Sequence, residues 1–276
     1  MIKFAVIKIQ NPVFIASGIA GTGEEYFKFT DLNRLGGFIT KTITMNPKPG
    51  NQPPRIVETE SGMINTIGIE NPGLTKFIND KLPAIKKQFK IPVIVSISGE
   101  TEKDYTELIR ELNKYPDIIK GIELNLSCPN VKYKVKCFAQ SPEMTYAIVR
   151  CAKKAGNLPV IAKLTPNVSD IAEIAASAEK AGADAVSLIN TVTGLAFLKS
   201  GQIITGGLSG PCIKPIALRC VHEVAKSTKL EIMGVGGITS YSDVIEFFAV
   251  GAKTVAIGSS LFNNPSLINQ ILQKNP

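Results

Sequence analysis

At 276 residues, 44% of them hydrophobic and 20% charged, the chain can build a sizeable core, and it has no low-complexity tract. Its formal net charge of +8 comes from dispersed lysines, with no Arg-rich arm and no Trp. That argues against nucleic-acid binding and for a solvated basic surface that draws in small anions. No apolar run approaches the roughly 20 residues of a membrane span. Five cysteines without a Cys-x-x-Cys pair, and a lone His222, argue against zinc or an iron–sulfur cluster held by this chain alone.

In chain order, Met1–Gln10 alternates apolar and polar residues as a short strand extension. It lacks the continuous apolar stretch of a secretory signal, which points to a cytoplasmic protein with reduced thiols. Eight short apolar runs follow: Val13–Ser17, Phe38–Thr42, Val93–Ile97, Gly121–Asn125, Val160–Leu164, Ala185–Asn190, Glu231–Val235 and Thr254–Gly258. Most lack clean alternation, as expected of parallel strands covered on both faces. Helices between them have legible ends. Thr101 precedes Asp104 as a capping pair, Ser169 caps Asp170–Ala181 with Gly182 as the stop, and Ser240 precedes Asp243 with Gly251 at the end. The last two helix–Gly-Ala–strand units resemble each other, which indicates a regular β/α architecture. Eight strands predict an α/β fold, a (β/α)8 TIM barrel spanning residues 1–276 as a single domain, with an open doubly wound sheet as the alternative. The Pro- and Gly-rich segment from Met45 to Gly73 is too long for a plain connection and reads as a binding loop on the catalytic face.

The chemistry concentrates at strand ends. Asn125-Leu126-Ser127-Cys128-Pro129-Asn130 sets a thiol between two amides where a strand enters a loop. Amides offer the donors and acceptors that a planar heterocycle with carbonyl and N–H groups requires, and a thiol beside it can move a proton. The bland reading is a buried cysteine with two turn asparagines. Lys41 and Lys163 close apolar strands, and lysines are costly to bury without a negative partner, so anions in the barrel mouth are expected. Gly236-Gly237 and Gly258-Ser259 follow the last two strands, where backbone N–H groups approach a phosphate closely. Gly206-Gly207-Leu208-Ser209-Gly210 either lines the same ligand or forms a loop. The Gly21-Thr22-Gly23 stretch lacks the third glycine of a dinucleotide fingerprint.

In order and spacing these motifs, together with Asn11-Pro12, Asn65–Gly73, Asn190-Thr191 and Ser209–Pro215, resemble the class 1 dihydroorotate dehydrogenases. The similarity is closest to the type 1B catalytic subunit, and it runs from about Asn11 to Asn264. A serine base marks the membrane-associated class 2 enzymes, and Cys128 argues against them.

The resemblance implies oxidation of dihydroorotate to orotate in pyrimidine biosynthesis, with FMN accepting hydride, Cys128 as general base and Lys163 beside the flavin. It implies substrate contacts from Lys41, Asn65, Thr66, Ile67, Gly68, Ile69, Asn125, Asn130, Asn190 and Thr191. FMN contacts would come from Ser17, Lys41, Thr42, Ser96, Asn125, Lys163, Ile189, Gly210, Gly236, Gly237, Gly258 and Ser259. Ser96 stands where many relatives carry Asn, and the 131–138 loop lacks their glycines. A homodimeric core is implied, joined in a heterotetramer to a subunit carrying FAD and a 2Fe–2S cluster that passes electrons to NAD. The alternatives are a fumarate-dependent type 1A enzyme, another FMN barrel acting on pyrimidines, and a non-catalytic pyrimidine-binding barrel.

Overall fold

The first ten residues form a hairpin rather than one strand. In the computed structural model, which describes residues 2–24, 26–127 and 137–274, β1 (Ile2–Phe4) pairs antiparallel with β2 (Ile7–Ile9). The reason is parity. In a continuous strand Phe4 would face away from Ile7 and Ile9. A turn at Ala5-Val6, both at positive φ, brings all three to one buried side and leaves Val6 exposed.

The remaining strands are β3 (Val13–Ile15), β4 (Gly37–Ile39), β5 (Ile56–Thr59), β6 (Gly62–Asn65), β7 (Val93–Ile97), β8 (Ile119–Asn125) and β9 (Val160–Leu164). After these come β10 (Ala185–Leu188), β11 (Val192–Phe197), β12 (Ile203–Ser209), β13 (Glu231–Val235) and β14 (Thr254–Ile257). Eight of them close into a parallel barrel in the order β10-β13-β14-β3-β4-β7-β8-β9. These eight correspond to the eight apolar runs, several ending one to three residues earlier. The open-sheet alternative is thereby ruled out.

Two cores explain why the runs look continuously apolar. Successive residues of one strand enter different cores, because side chains alternate across a strand. Val13 and Ile15 join the larger outer core between strands and helices, while Phe14 and Ala16 point into the barrel. The interior cluster gathers Phe14, Ile39, Ile94, Ile161, Ala185, Met233 and Ala256 with Phe4, Ala5, Ile7 and Ile9 of the hairpin. The hairpin therefore plugs the N-terminal end. Phe4 meets Phe14 edge-on at 6.1 Å, and the Ala5 N–H donates to Glu231 Oε2 at 2.7 Å.

The helices cover the outside. Helix Glu102–Leu112 starts on a capping box in which Thr101 and Asp104 each accept the other's backbone N–H. Helix Ile171–Ala181 is capped by Asp170, not Ser169: the carboxylate accepts from the N–H groups of both Ala172 and Glu173. A carboxylate has the stronger acceptor at a positive helix end. Gly182 closes that helix in the left-handed region, and Ser240 caps helix Tyr241–Ala249.

The long segment after β4 carries its own structure. It folds as the hairpin β5–β6, which joins β12 and β11 in a four-stranded antiparallel sheet ordered β11-β12-β6-β5. Gly206–Ser209 belongs to β12 rather than to a loop. No helix among the described residues is long and apolar enough to cross a membrane.

Candidate active site

The barrel interior changes character along its axis. On each strand the inward positions repeat every two residues, so Ile94 is followed by Ser96 on β7, Gly121 by Glu123 and Asn125 on β8, Ile161 by Lys163 on β9, and Ala185 by Ser187 on β10. The floor is apolar, and the next layer is polar. In register, Ser96 lies beside Glu123, Asn125 beside Lys163, and Ser187 beside Lys163. Above this layer the strands open into a cavity of about 800 Å³, within the size range of small-molecule sites.

Its rim is a chain of hydroxyls and amides. The Ser17 hydroxyl donates to Thr40 O at 2.8 Å and lies 3.3 Å from Thr42 Oγ1. Thr42 Oγ1 sits 3.0 Å from Ser96 Oγ and accepts from Asn125 Nδ2 at 3.3 Å. Asn125 Oδ1 accepts in turn from Asn190 Nδ2 at 3.4 Å, and Asn190 Oδ1 accepts the Thr191 N–H at 2.8 Å. The Asn125 carbonyl is fixed from outside by the Tyr105 hydroxyl at 2.9 Å. Five strand ends thus share one network, and each amide side chain keeps unused capacity toward the cavity.

Two lysines face this space. Lys163 is 7% exposed and lines the cavity. Among the described residues no hydrogen-bond acceptor or ion-pair partner reaches its amine. Burial pushes its pKa down, and the charge of Glu123 opposes that. Lys41 lies two residues beyond β4. Burial lowers its pKa as well, with Glu70 raising it and Arg55 lowering it. An amine held out of water without a partner costs several kcal/mol unless an anion or acceptor completes it.

The opposite wall comes from the four-stranded sheet and the segment beside it. Asn65 Nδ2 donates to Gly207 O at 3.2 Å. Thr66 and Ile67 are held by Asn51, whose side chain donates to Thr66 O at 2.8 Å and whose N–H donates to Ile67 O at 3.0 Å. The Ile69 carbonyl accepts from Asn71 Nδ2 at 2.8 Å, and Arg55 pairs with Glu70 at 2.9 Å. The backbone across Ile67, Gly68 and Ile69 is therefore tied on both sides.

The end of the cavity after β13 and β14 could hold an anion. Gly237 has φ +72°, and a Cβ there would sit 2.7–2.9 Å from Lys214 atoms, including its backbone. Only glycine fits such a position without strain. The loop it belongs to is pinned by Asp243, which accepts from the Thr239 N–H at 2.8 Å and the Thr239 hydroxyl at 2.9 Å. Ser260 donates to Ile238 O at 2.6 Å from the other side, and Lys214 reaches Asp243 at 2.6 Å. Backbone N–H groups of a loop held this way form an anion-binding concavity.

All the sequence-predicted residues within the described range line this one cavity: Ser17, Lys41, Thr42, Asn65, Thr66, Ile67, Gly68, Ile69, Ser96, Asn125, Lys163, Ile189, Asn190, Thr191, Gly210, Gly236, Gly237, Gly258 and Ser259. Cys128 and Asn130 lie outside the described residues, as does most of the 131–138 loop, but Ser127 and Cys137 on either side also line the cavity. The sequence reading missed Glu123 and Asn167. Glu123 was legible in principle, since it stands two residues before Asn125 and so shares its face. Asn167 gave no sequence signal. Its amide bridges Thr165 Oγ1, Thr191 O and the Thr193 N–H, which ties β9 to β11. No cluster of three or more metal-ligating side chains occurs among the described residues.

Comparison with known proteins identifies the family. The family model described as dihydroorotate dehydrogenase matches residues 1–275. A relative from Caldicellulosiruptor saccharolyticus, the catalytic subunit of dihydroorotate dehydrogenase B (NAD(+)), is 45% identical over 98% of this chain and 90% of its own length. Proteins of the same description from Thermoanaerobacter pseudethanolicus and Geobacter metallireducens are also 45% identical, over 97% and 98% of this chain and 89% and 90% of theirs. With the family match running from end to end over a barrel whose mouth gathers these amides, lysines and glycines, the chain belongs to the dihydroorotate dehydrogenase family.

Proposed function

We propose that this chain oxidises dihydroorotate to orotate as the catalytic subunit of an NAD-linked, type 1B enzyme, with FMN bound in the barrel mouth. The observation that carries the reading is Lys163: an amine almost wholly withdrawn from water, with no partner among the described residues, opening onto a cavity rimmed by amides. Lys163 would find its missing acceptor in a bound flavin. The glycine loop at Gly236-Gly237 and the Gly258-Ser259 turn offer backbone donors to a phosphate, as FMN requires. When bound, FMN supplies the hydride acceptor.

The chain's own residues do the rest. Lys163 stabilises negative charge that develops at the cavity floor, where the low dielectric makes a fixed cation effective. Asn65, Asn125, Asn130 and Asn190 hold the amide and carbonyl edges of the pyrimidine, and Lys41 meets its carboxylate. The Ile67–Ile69 backbone closes over the substrate. Cys128, as thiolate, removes the proton from the substrate carbon next to the one that gives up hydride; a thiol with an ordinary pKa of roughly 8.5 suits that task near neutrality. A partner subunit bearing FAD and a 2Fe–2S cluster would take up the electrons, around a homodimer of this chain.

The purified chain is expected to carry a flavin spectrum that shifts on addition of orotate. Cys128→Ala is expected to retain FMN and to lose nearly all flavin reduction by dihydroorotate in stopped flow. Reduction at the wild-type rate would reject the thiol as base. Efficient turnover with fumarate, and no association with an iron–sulfur subunit, would reject the type 1B assignment.

A further inference from the structure

Among the described residues Glu123 is the acidic side chain buried in the barrel interior, 1% exposed, and nothing in the proposed chemistry uses it. It sits on β8 between Gly121 and Asn125, on the face that looks into the barrel. One carboxylate oxygen accepts the Ser187 hydroxyl from β10 at 2.8 Å. Between β8 and β10 runs β9, and Lys163 stands in register with both Asn125 and Ser187. The carboxylate therefore reaches across the strand that carries Lys163, and both side chains line the cavity. A carboxylate in such a place adds little to stability. Its desolvation cancels most of what an ion pair gains, and an apolar side chain of similar volume would serve the fold as well.

Resting on the reading of this cavity as an FMN site, we propose that Glu123 is a positioning residue that keeps Lys163 an ammonium ion directed at the cofactor, with Ser187 fixing the carboxylate that does so. The titratable groups that face the interior at this level among the described residues are Glu123 on β8, Lys163 on β9 and Lys41 beyond β4. The other barrel strands present Ser96, Ser187 and apolar groups there. Burial works against the charge on Lys163, and Glu123 is the group whose field opposes that effect. Without that carboxylate the burial that lowers the pKa of the amine acts unopposed, and an amine that gives up its charge more readily holds neither FMN nor the reduced flavin as well.

The test measures FMN affinity and the reduction potential of the bound flavin in the wild-type chain, Glu123→Gln, Glu123→Asp and Ser187→Ala between pH 6 and 8.5. For Glu123→Gln at pH 8, FMN binding should weaken about tenfold. The preference for reduced over oxidised flavin should also fall about tenfold, which is roughly 30 mV for a two-electron couple. Both differences should shrink toward pH 6, because falling pH favours the ammonium form. Glu123→Asp should recover most of the effect, and Ser187→Ala should show a smaller loss of the same sign. A packing defect would weaken FMN equally at every pH and leave the potential in place, and that outcome overturns the proposal. A potential that rises in Glu123→Gln overturns it too, since Lys163 would then be a cation whose field Glu123 had been damping. Should Glu123→Gln not fold, Ser187→Ala and Glu123→Asp decide by the same criteria. A wild-type chain without flavin removes the cofactor reading and this proposal with it; a wild-type flavoprotein matched by Glu123→Gln removes the proposal alone.

Discussion

Replacing Asp243 by Asn should expose how much the anion-binding loop owes to one carboxylate. Asp243 is 6% exposed. Burial alone would push its carboxyl pKa up. The Lys214 ammonium, the Thr239 N–H, and the Thr239 and Ser240 hydroxyls outweigh that and bring it down to about 2, from an ordinary 3.8. At 1.36 kcal/mol per unit, that difference is worth about 2 kcal/mol of folding free energy near neutral pH. The raised pKa of Lys214, to which Asp243 and then Glu246 contribute, reflects in part the same ion pair and is not added to it. Because the folded carboxyl is the stronger acid, the unfolded chain binds more protons between the two values. The contribution is complete above about pH 4 and disappears as pH falls through about 2. Urea unfolding should find Asp243→Asn less stable by about 2 kcal/mol at pH 7, with the gap narrowing from about pH 4 downward. The variant should also bind FMN several-fold more weakly, since the Thr239 N–H and hydroxyl lose their shared anchor. A gap that stays constant from pH 7 to pH 3 would show that the amide damages packing rather than charge, and would refute this account of the loop.

Lys163→Met should keep the barrel folded while FMN dissociates faster and flavin reduction slows about 100-fold, the usual scale for losing one charge-stabilising group; wild-type retention and rate would remove its role. In that background Glu123→Gln should add no further change in potential, because it acts only through the amine. Gly237→Ala should weaken FMN binding about tenfold and lower the melting temperature, since alanine pays roughly 1–2 kcal/mol for left-handed backbone and meets Lys214 as well. Unchanged affinity would mean that the loop is not a phosphate site.

The strands were legible because both faces of a barrel strand are apolar, so each appears as an unbroken hydrophobic run bounded by polar or glycine residues. The same rule hid Glu123: inside Ile119–Asn125 a lone acid looks like an imperfection in a strand, although its spacing from Asn125 assigns it to the interior. The N-terminal hairpin was hidden by a regular alternation that matches one strand, and only the demand that Phe4, Ile7 and Ile9 share a buried side reveals the turn. Strands β5 and β6 were masked by the proline and glycine density around them, and the partner of β6 outside its own hairpin lies some 140 residues away on β12. Such pairing is a tertiary choice that local sequence does not encode. The rim residues were found through strand-end motifs matched to a family. Their hydrogen-bonded chain from Ser17 to Asn190 could not be read from spacing, because it joins side chains from five strands.

The plugged floor and the charged layer above it are parts of one device. The hairpin and the ring of Phe14, Ile39, Ile94, Ile161 and Met233 exclude water from below. Lys163 and Glu123 therefore interact through apolar protein on one side and through the cavity on the other. In such surroundings a charge pair exerts a much stronger field than it would at a surface, and an uncompensated member is far more costly. In this layer the field of the carboxylate opposes the burial penalty on the lysine without meeting its amine, and Ser187 donates to the carboxylate. Widening the floor should then act on chemistry at a distance. A cavity beneath Lys163 large enough for water would raise the local dielectric and weaken the amine's hold on developing charge, with no change in any residue that touches the ligand.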